Sequence, residues 1–497
     1  MKKRLLTSLI VLLLLLQCLF LPAFADPTET EEEIETTEAT APTEESSDLL
    51  QITEPIGDKL PSPLLDYGTT TNFQIRAKAA ALIDLNTGAL AYSHHIDDKI
   101  YPASLTKIMT CMLALERGNL DDIVTVSYSS LQNLSLGGSS AGLLEGEKIT
   151  LRDLLYCIMI SSANEGCNVI GEYISGSIED FVALMNQRAK EIGMASTHFM
   201  NTHGLHNDDH YTTVRDLSVL ARWAWQYKAF RELASATSYV VPATNRSESR
   251  TLRTTNYLIS GQTVGKYYYS KAVGLKTGFT TPAGGCLIST ASDGDFNYLS
   301  IVCGCETLEH EDGTTTDERF TETVRLFEYG FNHYSYVQVL TDTSMVDMPE
   351  VQYAEGRPNV VVRAKDNVSV LLPDTCDLSK ITLEVSYDST APLQAPLAKG
   401  EKVGTVTAKY NDHALASCDL VTLTAVERSA PTFVAEKTGG FFSGLWKFLK
   451  KIWFLTIPLL LALLAVAVLF IMRVINIRKA KKRRRSRANQ ARRDSHE

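Results

Sequence analysis

The chain has 497 residues, 44% of them hydrophobic, and a formal net charge of −10. That length holds two or three domains with a sizeable core. The charge is acidic near the N-terminus and strongly basic at the C-terminus, so the overall balance singles out no partner. Nine cysteines at scattered spacings include no C-x-x-C pair and form no zinc pattern. Most lie in apolar runs and read as buried thiols, with Cys376 and Cys418 the first pair to test for a bridge. Cys303 and Cys305, two apart, are expected on one face of a strand.

Residues 1–25 combine Lys2, Lys3 and Arg4, an apolar run and Ala23-Phe-Ala25, the pattern of a secretory signal peptide, with an uncleaved signal anchor as the alternative. Gln17 is too large to precede a lipidated Cys18. Residues 26–61 are rich in Glu, Thr, Pro and Ser and poor in aromatics, which predicts a disordered acidic linker. From there to residue 335 the composition is globular. Ala80-Ala-Leu-Ile-Asp84 and Ala89-Leu-Ala-Tyr92 flank Asn86-Thr-Gly88, a hairpin signal. Helical patterns extend to about residue 230, and a second strand pair follows at 285–290 and 298–303. Residues 315–331 read as an amphipathic helix. Strands at both ends with helices between predict one sheet built from distant segments beside a helical region. Residues 336–427 are short Val- and Thr-rich strands broken by turn residues, a small all-β domain. After a juxtamembrane linker at 428–452, residues 453–472 carry no charge and are long enough, at about 1.5 Å per residue, to span a bilayer. The basic tail at 473–497 then belongs in the cytoplasm and everything before the span outside. Anionic lipid accounts for that tail better than nucleic acid does.

Three short motifs carry the chemistry. In Tyr101-Pro-Ala-Ser-Leu-Thr-Lys-Ile-Met-Thr110, Pro102 suits a helix start and the run behind it is apolar almost all round. A buried helix with Ser104 in its first turn puts Lys107 on the same face. A partly desolvated lysine loses its proton near neutral pH and serves as base for the hydroxyl, while free N–H groups at the helix start stabilise an oxyanion. In Ser162-Ala-Asn164, Ser162 could pass a proton to a leaving group and the Asn164 amide could hold Lys107 and the substrate backbone. In Lys276-Thr-Gly278, Lys276 could attract a carboxylate, Thr277 donate to it and Gly278 admit a close backbone, with the Phe279 N–H completing an oxyanion hole with that of Ser104. Singly, each motif reads as a cap, a turn or a strand end.

Together, in this order and 58 and 114 residues apart, they resemble the penicillin-binding protein and serine β-lactamase superfamily. Within it the chain looks like a low-molecular-mass penicillin-binding protein, a serine-type D-alanyl-D-alanine carboxypeptidase of peptidase family S11. Asn201-Thr-His-Gly-Leu205, His210-Tyr-Thr-Thr-Val-Arg-Asp-Leu217 and Pro396-Leu-Ala-Lys-Gly-Glu-Lys-Val-Gly404 add to the likeness, which covers about residues 66–426. The resemblance implies an α/β (α+β) transpeptidase-like domain with an antiparallel sheet, a second β domain, Ser104 as acyl-forming nucleophile and Lys107 as its base. It implies peptidoglycan stem peptides as substrate, β-lactams as covalent inhibitors, and no cofactor. His203, His206, Asp208, Asp209 and His210 suggest a metal site only until it is noted that a Ser/Lys mechanism needs none. A β-lactamase or D,D-endopeptidase of the same superfamily, and a non-catalytic wall-binding scaffold, are the rival readings. The full membrane span and the long acidic linker depart from the family pattern.

Overall fold

The computed structural model describes residues 60–67, 72–132, 134, 138–261, 265–389 and 392–493; the expected signal peptide and nearly all of the acidic linker lie outside them. A five-stranded antiparallel sheet forms the centre of the first domain. Its strands are β1 (Ala79–Asp84), β2 (Leu90–His94), β3 (Ala272–Thr280), β4 (Gly284–Asp293) and β5 (Phe296–Cys305), in the spatial order β2-β1-β5-β4-β3. The β1–β2 turn closes because the Asp84 carboxylate accepts from the N–H and hydroxyl of Thr87 while Gly88 supplies a φ of +80°.

Both faces of this sheet are covered, so every residue of β1 is buried. Alternation along the strand sorts its side chains. Ala79, Ala81 and Ile83 join the core of the helical region, whereas Ala80 and Leu82 join a second core beneath the sheet. The helical side contains α1 (Lys107–Arg117), α2 (Leu151–Ile160), α3 (Asn164–Ser175), α4 (Ile178–Glu191), α5 (Val214–Trp225) and α6 (Lys228–Ser235). Helix α1 is buried from Lys107 to Leu115, as its apolar sequence requires. The opposite side is covered by α7 (Glu318–His333). It begins later than the predicted 315–331 because Thr315–Asp317 pairs as a short strand and the Asp317 carboxylate then caps the helix by accepting from Arg319 N–H.

Cys303 and Cys305 do not share a face. Gly304 between them has a φ of +76° and the β4–β5 register shifts there, so Cys303 enters the helical core and Cys305 the second one. All eight cysteines in the described residues are free thiols, Cys376 and Cys418 included.

The second domain is all β. Its antiparallel sheet runs Met345–Asp347, Val362–Ala364, His413–Thr422, Lys402–Tyr410, Ile381–Tyr387, with Tyr334–Leu340 and Val368–Pro373 pairing beside it. It is joined to the first domain by polar as well as apolar contacts. The Tyr336 hydroxyl donates to Asp84 Oδ1 at 2.8 Å, and the Tyr334 hydroxyl donates to the Ala91 carbonyl. Beyond it, the segment expected as a linker is helical: α8 runs unbroken over Ala430–Arg493, with Pro458 inside it. Within α8, Ile457–Arg484 is the one stretch among the described residues long and apolar enough to cross a membrane.

Gly330 is where α7 comes closest to the sheet. A Cβ there would lie 2.6 Å from Leu82 Cδ2 and 2.9 Å from the Tyr298 ring. Gly330→Ala is therefore expected to destabilise the protein by about 1–3 kcal/mol through overpacking, although helix propensity alone favours alanine by about 1 kcal/mol. A thermal melt of the variant checks the sign.

Candidate active site

Pro102 opens a 3-10 turn, Ala103–Thr106, that runs directly into α1. Ser104 thus sits in a 3-10 turn ahead of the α-helix rather than in the helix's own first turn, and Ala103 before it adopts a φ of +49°. The i, i+3 relation survives this change. Lys107 Nζ lies 2.8 Å from Ser104 Oγ, 2.8 Å from Asn164 Oδ1 and 2.7 Å from the His203 carbonyl oxygen. As a neutral amine it has two N–H donors for the last two acceptors, leaving its lone pair for the serine O–H. Burial pushes the Lys107 ammonium down to about 8, with Cys167 and Glu165 opposing the shift.

The second motif follows α2. Ser161 caps that helix, Ser162 turns the chain with a φ of +61°, and Asn164 begins α3. The strained turn brings the short side chains of Ser162 and Asn164 to one wall of a pocket of about 300 Å³ that also contains Ser104.

The opposite wall is β3, the edge strand of the sheet. Gly278 is needed there: an added Cβ would stand 3.1 Å from the Pro102 oxygen and 3.2 Å from Ser104 N. Thr277, Gly278 and Phe279 line the pocket, and the Thr277 hydroxyl shares a 2.6 Å hydrogen bond with that of Thr255. Lys276 is buried behind this wall, where its Nζ donates to the Thr277 carbonyl at 3.2 Å. Burial, reinforced by the nearby Lys107, holds Lys276 well below the usual lysine range.

The charged group on the pocket wall is one that motif reading missed, Arg319 of α7. Its guanidinium is clamped by both Asp317 carboxylate oxygens, and its NH1 donates to the Gly278 carbonyl at 3.0 Å. In sequence it is one more charge at a helix start, and nothing local marks it. Thr255 and the His203 carbonyl were missed for the same reason.

The residues 203–210 do not gather as ligands. His203 Nδ1 accepts from the Leu205 N–H, His210 Nδ1 accepts from the Met200 N–H, and His206 faces Asp208 and the Tyr101 ring. Among the described residues no three His, Cys, Asp or Glu side chains converge as a metal site.

The whole arrangement suits acyl transfer. A serine hydroxyl lies against a buried amine, a second serine lines the same pocket, and the edge strand of the sheet runs alongside. Residues 67–307 match the family profile described as D-alanyl-D-alanine carboxypeptidase, and residues 334–428 match that of the penicillin-binding protein 5 C-terminal domain. The D-alanyl-D-alanine carboxypeptidase DacC of Escherichia coli is 30% identical over 388 residues, covering 75% of this chain and 88% of the relative. DacF of Bacillus subtilis is 28% identical over 71% of this chain and 86% of its own length. Among solved structures, penicillin binding protein 5 from Haemophilus influenzae superposes with a TM-score of 0.56 at 25% identity, over 72% of this chain and all of that one. Penicillin binding protein 6B from Escherichia coli gives 0.53 at 26%, over 73% and 99%. The motif geometry and these likenesses agree, and the chain belongs to the D-alanyl-D-alanine carboxypeptidase family of serine hydrolases.

Proposed function

We propose that the chain removes the terminal D-alanine from peptidoglycan stem pentapeptides through an acyl-enzyme on Ser104. The observation that carries this reading is the Lys107 amine, held 2.8 Å from Ser104 Oγ by Asn164 and the His203 carbonyl. Lys107 takes the hydroxyl proton as Ser104 Oγ attacks the carbonyl between the two D-alanines. The oxyanion sits between the N–H groups of Ser104 and Phe279. Ser162 relays the proton to the departing amine, D-alanine leaves, and water returns by the reverse path to release the tetrapeptide. A peptide lying along the open edge of β3 gains main-chain hydrogen bonds before any reaction.

The substrate's terminal carboxylate meets Thr277, the hydroxyl of Thr255 and the guanidinium of Arg319, with Lys276 adding to the field behind them. Arginine stays charged where a buried lysine does not, so Arg319 is the stronger carboxylate anchor. β-Lactams acylate the same serine because they mimic the D-alanyl-D-alanine peptide. The uncharged residues 453–472 anchor the enzyme in the membrane as a single span, supported by the apolar helical stretch that begins at Ile457. The basic tail lies in the cytoplasm and the catalytic domain on the extracytoplasmic side, by the positive-inside rule.

The detergent-solubilised protein should release free D-alanine from a stem pentapeptide, and Ser104→Ala should release none. A folded wild-type protein that releases no D-alanine but hydrolyses penicillin would instead be a β-lactamase. The pH dependence follows from Lys107, whose free amine is the active form. Its folded-state value of about 8 lies below the usual 10.5, so the amine dominates above that pH. Acylation by a fluorescent penicillin should therefore climb about tenfold per unit as the pH approaches 8 from below, then level off. Arg319→Ala should lower kcat/KM for the pentapeptide by roughly 10–100-fold, the value of a charge-assisted hydrogen bond. The same variant should change little on a substrate ending in D-alaninamide.

A further inference from the structure

His210 has no part in the acyl transfer above, yet it is buried and both its ring nitrogens are engaged. Nδ1 accepts from the backbone N–H of Met200 at 3.1 Å. A nitrogen that accepts carries no proton, so the neutral ring has its hydrogen on Nε2. Burial, helped by His198 and Lys107, pushes His210 down to about 3, and the ring is neutral wherever the enzyme works. Nε2 lies 2.8 Å from Thr106 Oγ1 and donates to it. The Thr106 hydroxyl spends its own hydrogen on the Ala103 carbonyl oxygen, also at 2.8 Å. The direction of every bond is thus assigned, from His210 through Thr106 to Ala103.

The Ala103 carbonyl is one end of a planar trans amide whose other end is the Ser104 N–H. The two point in opposite directions, so fixing the oxygen aims the N–H. The turn needs holding, since Ala103 sits at a positive φ that residues with a side chain rarely adopt. Gly204 presses on the same oxygen from the loop above: a Cβ there would stand 1.8 Å from it. A carbonyl that accepts a strong hydrogen bond also polarises its amide, which makes the N–H a better donor.

We propose that His210 is a positioning residue of the oxyanion site. Through Thr106 it locks the Ala103–Ser104 peptide plane so that the Ser104 N–H faces the oxyanion as it forms. The proposal rests on Ser104 being the nucleophile.

The test uses the full chain in detergent and two pairs of variants. Thr106→Val keeps the shape and removes the hydroxyl, whereas Thr106→Ser keeps the hydroxyl. His210→Asn keeps an acceptor for Met200 but cannot reach Thr106, whereas the longer amide of His210→Gln restores a donor near the Nε2 position. Each is measured for the second-order rate of penicillin acylation, for affinity toward a boronic acid that forms a tetrahedral adduct on serine, for KM and for melting temperature. Thr106→Val and His210→Asn should lose roughly 10–100-fold in acylation and in boronate affinity, part of what deleting an oxyanion donor costs, with KM nearly unchanged. Thr106→Ser and His210→Gln should stay within about threefold of wild type. The double variant His210→Asn, Thr106→Val should be no worse than Thr106→Val alone, because the two groups act in series. Unchanged boronate affinity in folded His210→Asn, or a His210→Gln as impaired as His210→Asn, overturns the proposal. Ser104→Ala is run alongside; if it still forms the penicillin adduct, the nucleophile assignment has failed instead.

Discussion

A lysine amine with no access to water must find all its partners inside the protein. Lys107 finds them on three separate stretches: the turn that begins its own helix, the first residue of α3, and the loop ending at Gly204. A buried charge without such partners is costly, and giving up the proton lowers that cost. The fold can be understood as the means of keeping these stretches together. Helix α1 is enclosed on every side, α3 starts from a strained serine turn, and the glycine of β3 lets the sheet edge close over Ser104. Moving any one of them would separate the amine from its hydroxyl or expose it to water, and either change restores an ordinary lysine.

Much of this was legible in the sequence because it is local. Ser104 and Lys107 are a helical turn apart, and that relation holds whether the turn is 3-10 or α. Gly278 announces close approach in any strand. The β1–β2 hairpin could be read from Asn86-Thr-Gly88, and the β4 and β5 strands from their apolar runs. What could not be read depends on distant chain segments. The His203 contribution is a backbone oxygen, which every residue has. Arg319 reaches the pocket only because α7 packs under the sheet, 43 residues after Lys276. The expected shared face of Cys303 and Cys305 failed on the conformation of the single residue between them. That residues 430–452 are helical was not read from the sequence, which offered only a linker between the β domain and the span.

The site also separates charge by permanence. The two lysines are buried and driven toward neutrality, whereas the guanidinium on the wall reaches the pocket surface and is oriented by Asp317. Cationic side chains in and behind one pocket thus differ in character, distinguished by burial and by the chemistry of their head groups.

The second core beneath the sheet has its own consequence. Leu82, Tyr298 and Phe327 of the first domain share it with Val370, Leu371 and Leu420 of the second. An apolar cluster that spans two domains ties their unfolding together, because loosening either one bares surface on the other. The β domain is thus part of the cooperative unit that contains the catalytic sheet. A destabilising change far out in the β strands is felt as lost order at the serine, without any signal having to pass through the pocket itself.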